Sequence, residues 1–310
     1  MTNKIVAIQG NHPSKLNPKT DTSVFLANEI QKKKYRIFYY DPKDLSIVDS
    51  KVIAKGFFIK FNYNDKKFYK ILKKQKLNLT KCRYILIRQD PPFNLEYIST
   101  TFILETIKDK VKIINNPTSI RNISEKLYSV KYLRFMPNTI FTQNIHEIKN
   151  FFKKNKSVIL KPIHSFSGND IHLLNKFKLN FVKKFIKKHD HIMCQKYLPK
   201  ISKGDKRVFL INGKICGVIS RVPKKGSFLS NMSKGAAPIN INIQLTKLEK
   251  RISNIIAKDL KKEKIYFAGI DFIDQKLNGD INVTSPTGLK TLFDISKINL
   301  AKIFWKDLKA

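Results

Sequence analysis

The chain has 310 residues and a formal net charge of +38, from 61 Lys plus Arg against 23 Asp plus Glu. Its 42% apolar and 11% aromatic residues can fill cores, which excludes a disordered basic tail, and its length suits two domains of ~100–200 residues each. Such a charge favours nucleic acid or an anionic membrane as partner, but only 8 of the 61 are arginine, the residue that reads bases bidentately. The lysines are spread along the whole chain beside many Ile, Asn, Phe and Tyr, all with A/T-rich codons. They read mostly as solvated surface, and neither a nucleic-acid nor a membrane partner is expected.

Residues 5–8 are an apolar run expected to form a buried strand, followed by a polar loop and an amphipathic helix from near Asp21. Residues 36–39, 57–61, 84–87 and 111–114 are further strands, with a helix through Leu104 after the break at Asp90-Pro91-Pro92. Strands alternating with helices predict an open parallel α/β sheet over the first ~120 residues. From Asn116-Pro117 the pattern changes. Short helices run through Tyr132, and a further helix covers 146–154. Strands follow at 139–142, 158–161, 171–174, 193–197, 207–211 and 214–221. Asn212-Gly213 marks a two-residue hairpin. A long polar loop spans 223–242, and a lysine-rich helix then runs through Lys262. A last hairpin pairs 267–273 with 281–283 and is expected to turn at Asn278-Gly279. This half reads as α+β.

No apolar run approaches the ~18–20 residues of a membrane span, and 4–9 is too short for a signal-peptide core. Cys82, Cys194 and Cys216 are an odd number without a CxxC pair. They fit free thiols in a reducing compartment, so a cytoplasmic location is expected.

The last hairpin carries the first chemical signal. In Asp280-Ile281-Asn282 the period of two puts both oxygen-bearing side chains on one face. Asp271, on the partner strand, could supply a third oxygen. Two carboxylates and an amide suit Mg²⁺, which prefers oxygen and is completed by water and phosphate; three solvated polar residues beside a turn are the plainer alternative. Lys126, Lys161, Arg207 and Arg221 could neutralise a transferring phosphoryl group. Single lysines weigh little in this chain, and the scarce arginines weigh more. The loop 165–169, with Gly168 as its one glycine, is a phosphate cradle of low specificity. His164, His172, His189 and His191 have unlike contexts and do not suggest a metal cluster.

Several segments occur in a telling order. They are Arg88-Gln89-Asp90-Pro91-Pro92-Phe93, Asn116-Pro117, Ser119-Ile120-Arg121-Asn122, Glu125-Lys126-Leu127 and Leu160-Lys161-Pro162. Gln195, Tyr197-Leu198-Pro199, Gly204-Asp205-Lys206-Arg207, Gly269-Ile270-Asp271 and Ile281-Asn282-Val283-Thr284-Ser285-Pro286-Thr287 follow. Together they resemble the bacterial glutathione synthetase family of the ATP-grasp superfamily, nearly end to end. The resemblance implies an N-terminal pre-ATP-grasp α/β substrate domain over 1–121. A central ATP-grasp lid over 122–200 and a C-terminal α+β ATP-grasp domain over 201–310 would follow. It implies that ATP, γ-glutamylcysteine and glycine give glutathione, ADP and phosphate, in a homo-oligomer. It also implies roles. Asp271, Asp280 and Asn282 would hold Mg²⁺ or Mn²⁺. Lys126, Lys161, Gly168, Gln195, Tyr197, Leu198 and Asp205 would bind ATP, with Asp205 toward the ribose. Arg207 and Arg221 would face the acyl phosphate, and Arg88, Asp90, Asn231, Gly235, Ser285, Pro286 and Thr287 would border the substrates.

The sequence departs from the family pattern at four places. Asp280 stands where Glu is usual, and one extra residue, in Asn278-Gly279, lengthens the hairpin just before it. The loop after Lys161 keeps only Gly168 where glycines are usual, with His164, Ser165 and Ser167 beside it. The long loop keeps Asn231 and Gly235 but has Leu229, Ala236 and Ala237 at usual Arg or Gly positions. A paralogous ATP-grasp ligase that joins a different acid or amine is therefore the alternative reading.

Overall fold

The computed structural model describes residues 4–63, 67–231, 234–239 and 243–310. Its first sheet holds β1 (Ile5–Gln9), β2 (Arg36–Tyr40), β3 (Leu45–Val48), β4 (Lys51–Phe61), β5 (Tyr69–Asn78), β6 (Tyr84–Ile87) and β7 (Lys112–Ile114). Their order is β3-β4-β2-β1-β6-β7, with β5 paired to β4. The apolar runs β2, β1, β6 and β7 are parallel neighbours, as strands buried on both faces tend to be. Helices α1 (Thr22–Gln31) and α2 (Leu95–Glu105) follow β1 and β6. Asp21 caps α1 by accepting from the Val24 amide at 2.8 Å.

The parallel sheet accounts for only part of this layer. β3, β4 and β5 extend it as an antiparallel meander. In β5 only Tyr69 and Leu77 are buried, and Lys70, Lys73, Lys74 and Lys76 are exposed. A strand with one partner and lysines on its open side shows no clean alternation, so its sequence reads as surface.

The second sheet is antiparallel: β8 (Thr139–Thr142), β9 (Val158–Pro162), β10 (His172–Leu174) and β11 (Ile192–Lys196), in the order β10-β9-β11-β8. It shares a small core with α4 (Ile145–Asn155) and α5 (Leu179–His189), built on Ile148, Leu160, Val182, Ile192 and Cys194. Between the first two sheets lie α3 (Pro117–Asn122) and a 3₁₀ stretch over Leu127–Phe135.

The third sheet is also antiparallel. It holds β12 (Asp205–Ile211), β13 (Lys214–Val222), β14 (Ala237–Ile239), β15 (Phe267–Ile273) and β16 (Lys276–Asn282), in the order β14-β13-β12-β15-β16. Helices α6 (Lys247–Lys262), α7 (Leu289–Ser296) and α8 (Leu300–Asp307) accompany it. Asn212 and Gly213 turn β12 into β13 with φ of 49° and 75°. The loop expected over 223–242 contains β14, which pairs Val222 with Ala237. Residues 232–233 and 240–242 of that loop lie outside the described residues.

The second hairpin does not turn at Asn278-Gly279. It turns at Asp274 and Gln275, with φ of 47° and 64°. Pairing starts at Ile273 with Lys276 and continues at Phe272 with the buried Leu277, so Asn278 and Gly279 fall inside β16. Ile270 pairs with Ile281, leaving residues 278–280 opposite Asp271 alone. Gly279 takes φ 87° in this bulge, and a Cβ there would come 2.3 Å from the Met193 methyl. The positive-φ residue thus serves a bulge rather than a turn, and a bulge re-aims the side chains after it.

The first and third sheets are fastened together by side chains. The Asn115 amide donates to the carbonyls of Phe267 and Val283, both at 2.7 Å, and accepts from the Tyr266 and Phe267 amides. The Thr22 hydroxyl accepts from the Gly288 amide at 3.1 Å. Trp305 on α8 is fully buried, and its indole N–H donates to the Leu26 carbonyl on α1 at 2.9 Å. Among the described residues, no helix is long and apolar enough to cross a membrane. The three cysteines are free, and burial pushes the Cys82 and Cys194 thiols up to about 12.

Candidate active site

Charge on this chain is abundant at the surface and scarce inside. Among the described residues, the buried lysines are Lys126 and Lys161, and the buried arginines are Arg88, Arg207 and Arg221. Desolvating a cation costs several kcal/mol, of order 20 in the ideal limit, so a cation is buried where partners are provided. All five lie around one region.

Adjacent strands make the arginine cluster. Arg207 on β12 pairs in register with Asp271 on β15, and Asp205 with Arg221 on β13. Arg207 donates to Asp271 through Nε at 2.8 Å and Nη2 at 2.7 Å, a two-pronged grip. Arg221 grips Asp205 in the same way, with Nε at 2.9 Å and Nη2 on the other oxygen, and reaches Asp271 at 3.1 Å. The Ser230 hydroxyl donates to Asp205 at 2.6 Å. Burial alone would raise the Asp271 carboxyl; Arg207 and Arg221 outweigh it and hold the group well below the usual carboxylate range. Burial pushes the Asp205 carboxyl up, opposed by Arg221.

The lysine end is built differently. Lys161 at the end of β9 donates to the Asn278 carbonyl at 2.9 Å and its side-chain oxygen at 3.0 Å. Lys126 donates to the Ser165 carbonyl at 2.7 Å, which ties the turn after α3 to the loop after β9. Asp280 lies between the two ammonium groups, 3.5 Å from Lys126 and 3.6 Å from Lys161. Burial lowers the pKa of Lys161 and Asp280 partly restores it.

These groups open into a cleft of about 530 Å³. One wall comes from the loops after β1 and β6, with Lys15, Asn17, Asp21, Asp90 and Pro91. β1 and β6 are the point at which the parallel sheet runs outward in both directions, where α/β sheets place ligand crevices. The other wall carries Arg207, Arg221, Asp271, Asp280, Asn282 and Ser285–Thr287. A smaller hollow of about 60 Å³ adjoins it, lined by Lys161, Gln195, Tyr197, Leu198, Phe228 and Leu229. The two share Ile171, Ser230, Asn231 and Asn278. A separate groove of about 690 Å³ lies on the first sheet against Ile37, Phe58 and Leu72, and holds none of the expected site residues.

Residues 5–121 match the prokaryotic glutathione synthetase N-terminal domain, and 125–297 match the prokaryotic glutathione synthetase ATP-grasp domain. The chain belongs to the prokaryotic glutathione synthetase family. It is 35% identical to the glutathione synthetase of Brucella melitensis, covering 98% of each chain. It is 33% identical to that of Agrobacterium fabrum, covering 97% of this chain and 95% of the other. Its fold is similar to the ATP-grasp ligase PsnB, solved with a phosphomimetic precursor variant, Mg and ADP. That match has a TM-score of 0.65, 12% identity and coverage of 99% and 98%. The fold is therefore an N-terminal α/β domain followed by an ATP-grasp domain, and the protein is an ATP-dependent ligase.

For a glutathione synthetase family member, the structure distributes the expected residues unevenly. Lys126, Gly168, Arg207, Arg221, Asp271, Asp280, Asn282, Asp90, Asn231, Ser285, Pro286 and Thr287 line the larger cleft, and Gln195, Tyr197 and Leu198 the adjoining hollow. Asp205 also borders the larger cleft, with both of its oxygens held by Arg221 and Ser230 within the arginine cluster. Arg88 stands behind the wall, donating to Ser23 and to the Pro286 carbonyl, both at 3.0 Å, so it supports the loop that carries Pro286. Gly235 packs against the Lys224 side chain and is not among the cleft-lining residues. Asp21 and Glu125 do line it. Asp21, near which the sequence starts a helix, also caps that helix. Glu125 stands in a matched segment but sends no chemical signal of its own.

Among the described residues, no three His, Cys, Asp or Glu side chains converge on one point. The expected metal set reaches three oxygens only through the Asn282 amide. Its NH₂ donates to the Gly269 carbonyl at 3.1 Å, which leaves its oxygen free. Asp280 is partly exposed in the cleft, whereas both Asp271 oxygens are held by Arg207 and Arg221 and would be shared between the arginines and an ion. Hard, incomplete oxygen sets of this kind fit Mg²⁺, which keeps waters and takes phosphate oxygens.

Proposed function

We propose that this ligase joins γ-glutamylcysteine to glycine at the expense of ATP, through an acyl phosphate. A carboxylate is a poor acyl donor. Its oxygen would take the γ-phosphoryl group of ATP, releasing ADP. The glycine nitrogen would then attack the acyl carbon, phosphate would leave, and the amine would lose a proton. The observation that carries the reading is the placement of four buried cations, Lys126, Lys161, Arg207 and Arg221, around the cleft and its adjoining hollow in a chain of this family.

In this reading the hollow of Gln195, Tyr197 and Leu198 takes the adenine edge, while Lys126, Lys161 and the Gly168 loop hold the phosphates. Gly168 has φ 73° and a Cβ there would press on the Asn231 side chain, so its backbone can approach a ligand closely. Arg207 and Arg221, preorganised by their carboxylates, face the charge that develops on the acyl phosphate. Asp271, Asp280 and Asn282 would hold Mg²⁺, which when bound draws charge from the transferring phosphate oxygens. Asp90 and Ser285–Thr287 border the acyl substrate. The chain would divide into a substrate domain (1–121), a lid (122–200) and a C-terminal ATP-grasp domain (201–310).

A panel of acid–amine pairs, assayed by phosphate release from ATP, tests the proposal. Turnover with γ-glutamylcysteine and glycine above all other pairs is expected. Silence with that pair and turnover with another would overturn it. The second outcome would suit a paralogous ligase, for which Leu229 in the wall of the hollow is the specific motive.

A further inference from the structure

β16 is an outer strand of the third sheet, with β15 on one side only. The amides on its open side need partners elsewhere. At the C-terminal end of β16 and just beyond it, one residue supplies them. The Glu125 backbone carbonyl accepts from the Ile281 amide at 2.9 Å. A single carboxylate oxygen of Glu125 accepts from the Val283 amide at 2.8 Å, the Thr284 amide at 3.0 Å and the Thr284 hydroxyl at 2.9 Å. Residues 281 and 283 share the open edge because strand amides alternate in direction. The next residue, Lys126, contacts Asp280 at 3.5 Å and holds the loop after β9 through Ser165. Two consecutive residues therefore fasten 280–284, the stretch that carries the expected ligands Asp280 and Asn282 and leads into the Ser285–Thr287 wall.

We propose that Glu125 is a positioning residue whose side chain sets the acyl-substrate wall of the cleft, while its backbone sets the strand that bears Asp280 and Asn282. The two anchors are separable. A side-chain substitution removes the grip on Val283 and Thr284, which lead directly into Ser285, Pro286 and Thr287. It leaves the carbonyl bond to Ile281 in place. Damage should therefore fall on the acyl substrate and spare the nucleotide. The acceptor oxygen, rather than the charge, is what three donors require, so an amide oxygen should largely serve.

The kinetic consequence rests on the ligase reading proposed above, and the experiment has two arms. Steady-state kinetics of Glu125→Ala should show kcat/KM for the acyl acid down about 100-fold, the size expected of a wall misplaced by about 1 Å. The KM for ATP should stay within about twofold and Glu125→Gln within about fivefold of wild type, as the loss of a few hydrogen bonds on one side only predicts. Equal damage in Glu125→Gln and Glu125→Ala, a KM for ATP rising in step, or an unchanged acyl KM would each overturn the assignment. Amide hydrogen exchange needs no substrate. Exchange at Val283 and Thr284 should rise in Glu125→Ala and not at Ile281. Unchanged protection there would overturn the clamp itself, whereas a wild type silent with γ-glutamylcysteine and glycine would overturn only the substrate reading.

Discussion

The two carboxylates at the bulge, Asp280 within it on β16 and Asp271 opposite it on β15, live in opposite regimes. Asp271 is buried, gripped by the fork of Arg207 and touched by Arg221, with oxygen–nitrogen distances of 2.7–3.1 Å. Asp280, about a fifth exposed, is met by two ammonium groups at 3.5 and 3.6 Å. A guanidinium matches a carboxylate in shape and fixes its orientation, while an ammonium is a point charge on a flexible stem. One end of the cleft is therefore set before any ligand arrives. The other can exchange its internal ion pairs for phosphate and a cation. A site that must hold a changing charge benefits from both.

Four outcomes would break or sharpen this contrast. The largest effect is expected for Arg221→Ala, which strands Asp205 in the interior. Breaking a buried pair typically costs 3–5 kcal/mol, so denaturant melts should show about that loss together with no measurable ligation. Asp280→Ala should also cut ligation, by about 10²–10³-fold, yet cost less stability than Arg221→Ala in the same melts, because its contacts are long and Lys126 and Lys161 keep their carbonyl partners. Near-normal turnover in both variants would show the site to be misplaced. Arg207→Lys keeps the charge and loses the fork, and a fall in kcat/KM of about tenfold or more is expected in phosphate-release assays. A neutral result there would mean that orientation of Asp271 does not matter.

The smallest effect is a pH trend at the lysine end. Burial lowers the Lys161 pKa below the ordinary 10.5, so ATP affinity should weaken on the alkaline side earlier than an ordinary lysine would allow. The sign for folding is opposite. A depressed lysine resists protonation in the fold, so its penalty is present at lower pH and is relieved as pH rises through the folded value. Titration of ATP binding in wild type and in Lys161→Arg checks this, since the guanidinium stays charged and the alkaline fall should disappear.

Much of this site can be read from residue types, and the reason is compositional. In a chain that avoids arginine, Arg207 and Arg221 stand out against the background. The period of two places Asp280 and Asn282 on one face without knowledge of the fold. What was not legible depends on neighbours. Asn278-Gly279 reads as a turn because the same positive-φ freedom serves a turn or a bulge, and only the burial of Leu277 decides between them. Arg88 sits in a matched motif, yet its role behind Pro286 is a long-range contact that no local pattern encodes. β5 escapes notice because its pairing is one-sided and its lysines erase the alternation. Asp205 lies beside Arg207 in sequence, but its register partner on β13 draws it into the arginine cluster.

Trp305 has a practical consequence. It is the chain's one tryptophan, it is fully buried, and it spans the seam between the first helix and the last. Tyr84, on the N-terminal sheet, sits with its ring 5.7 Å away. Tryptophan emission from this protein therefore has a single, placed source. A red shift of that emission would report water reaching the indole as the two layers part, and energy transfer from Tyr84 would fade with it. The contact between the two ends of the fold can be followed optically, without a label.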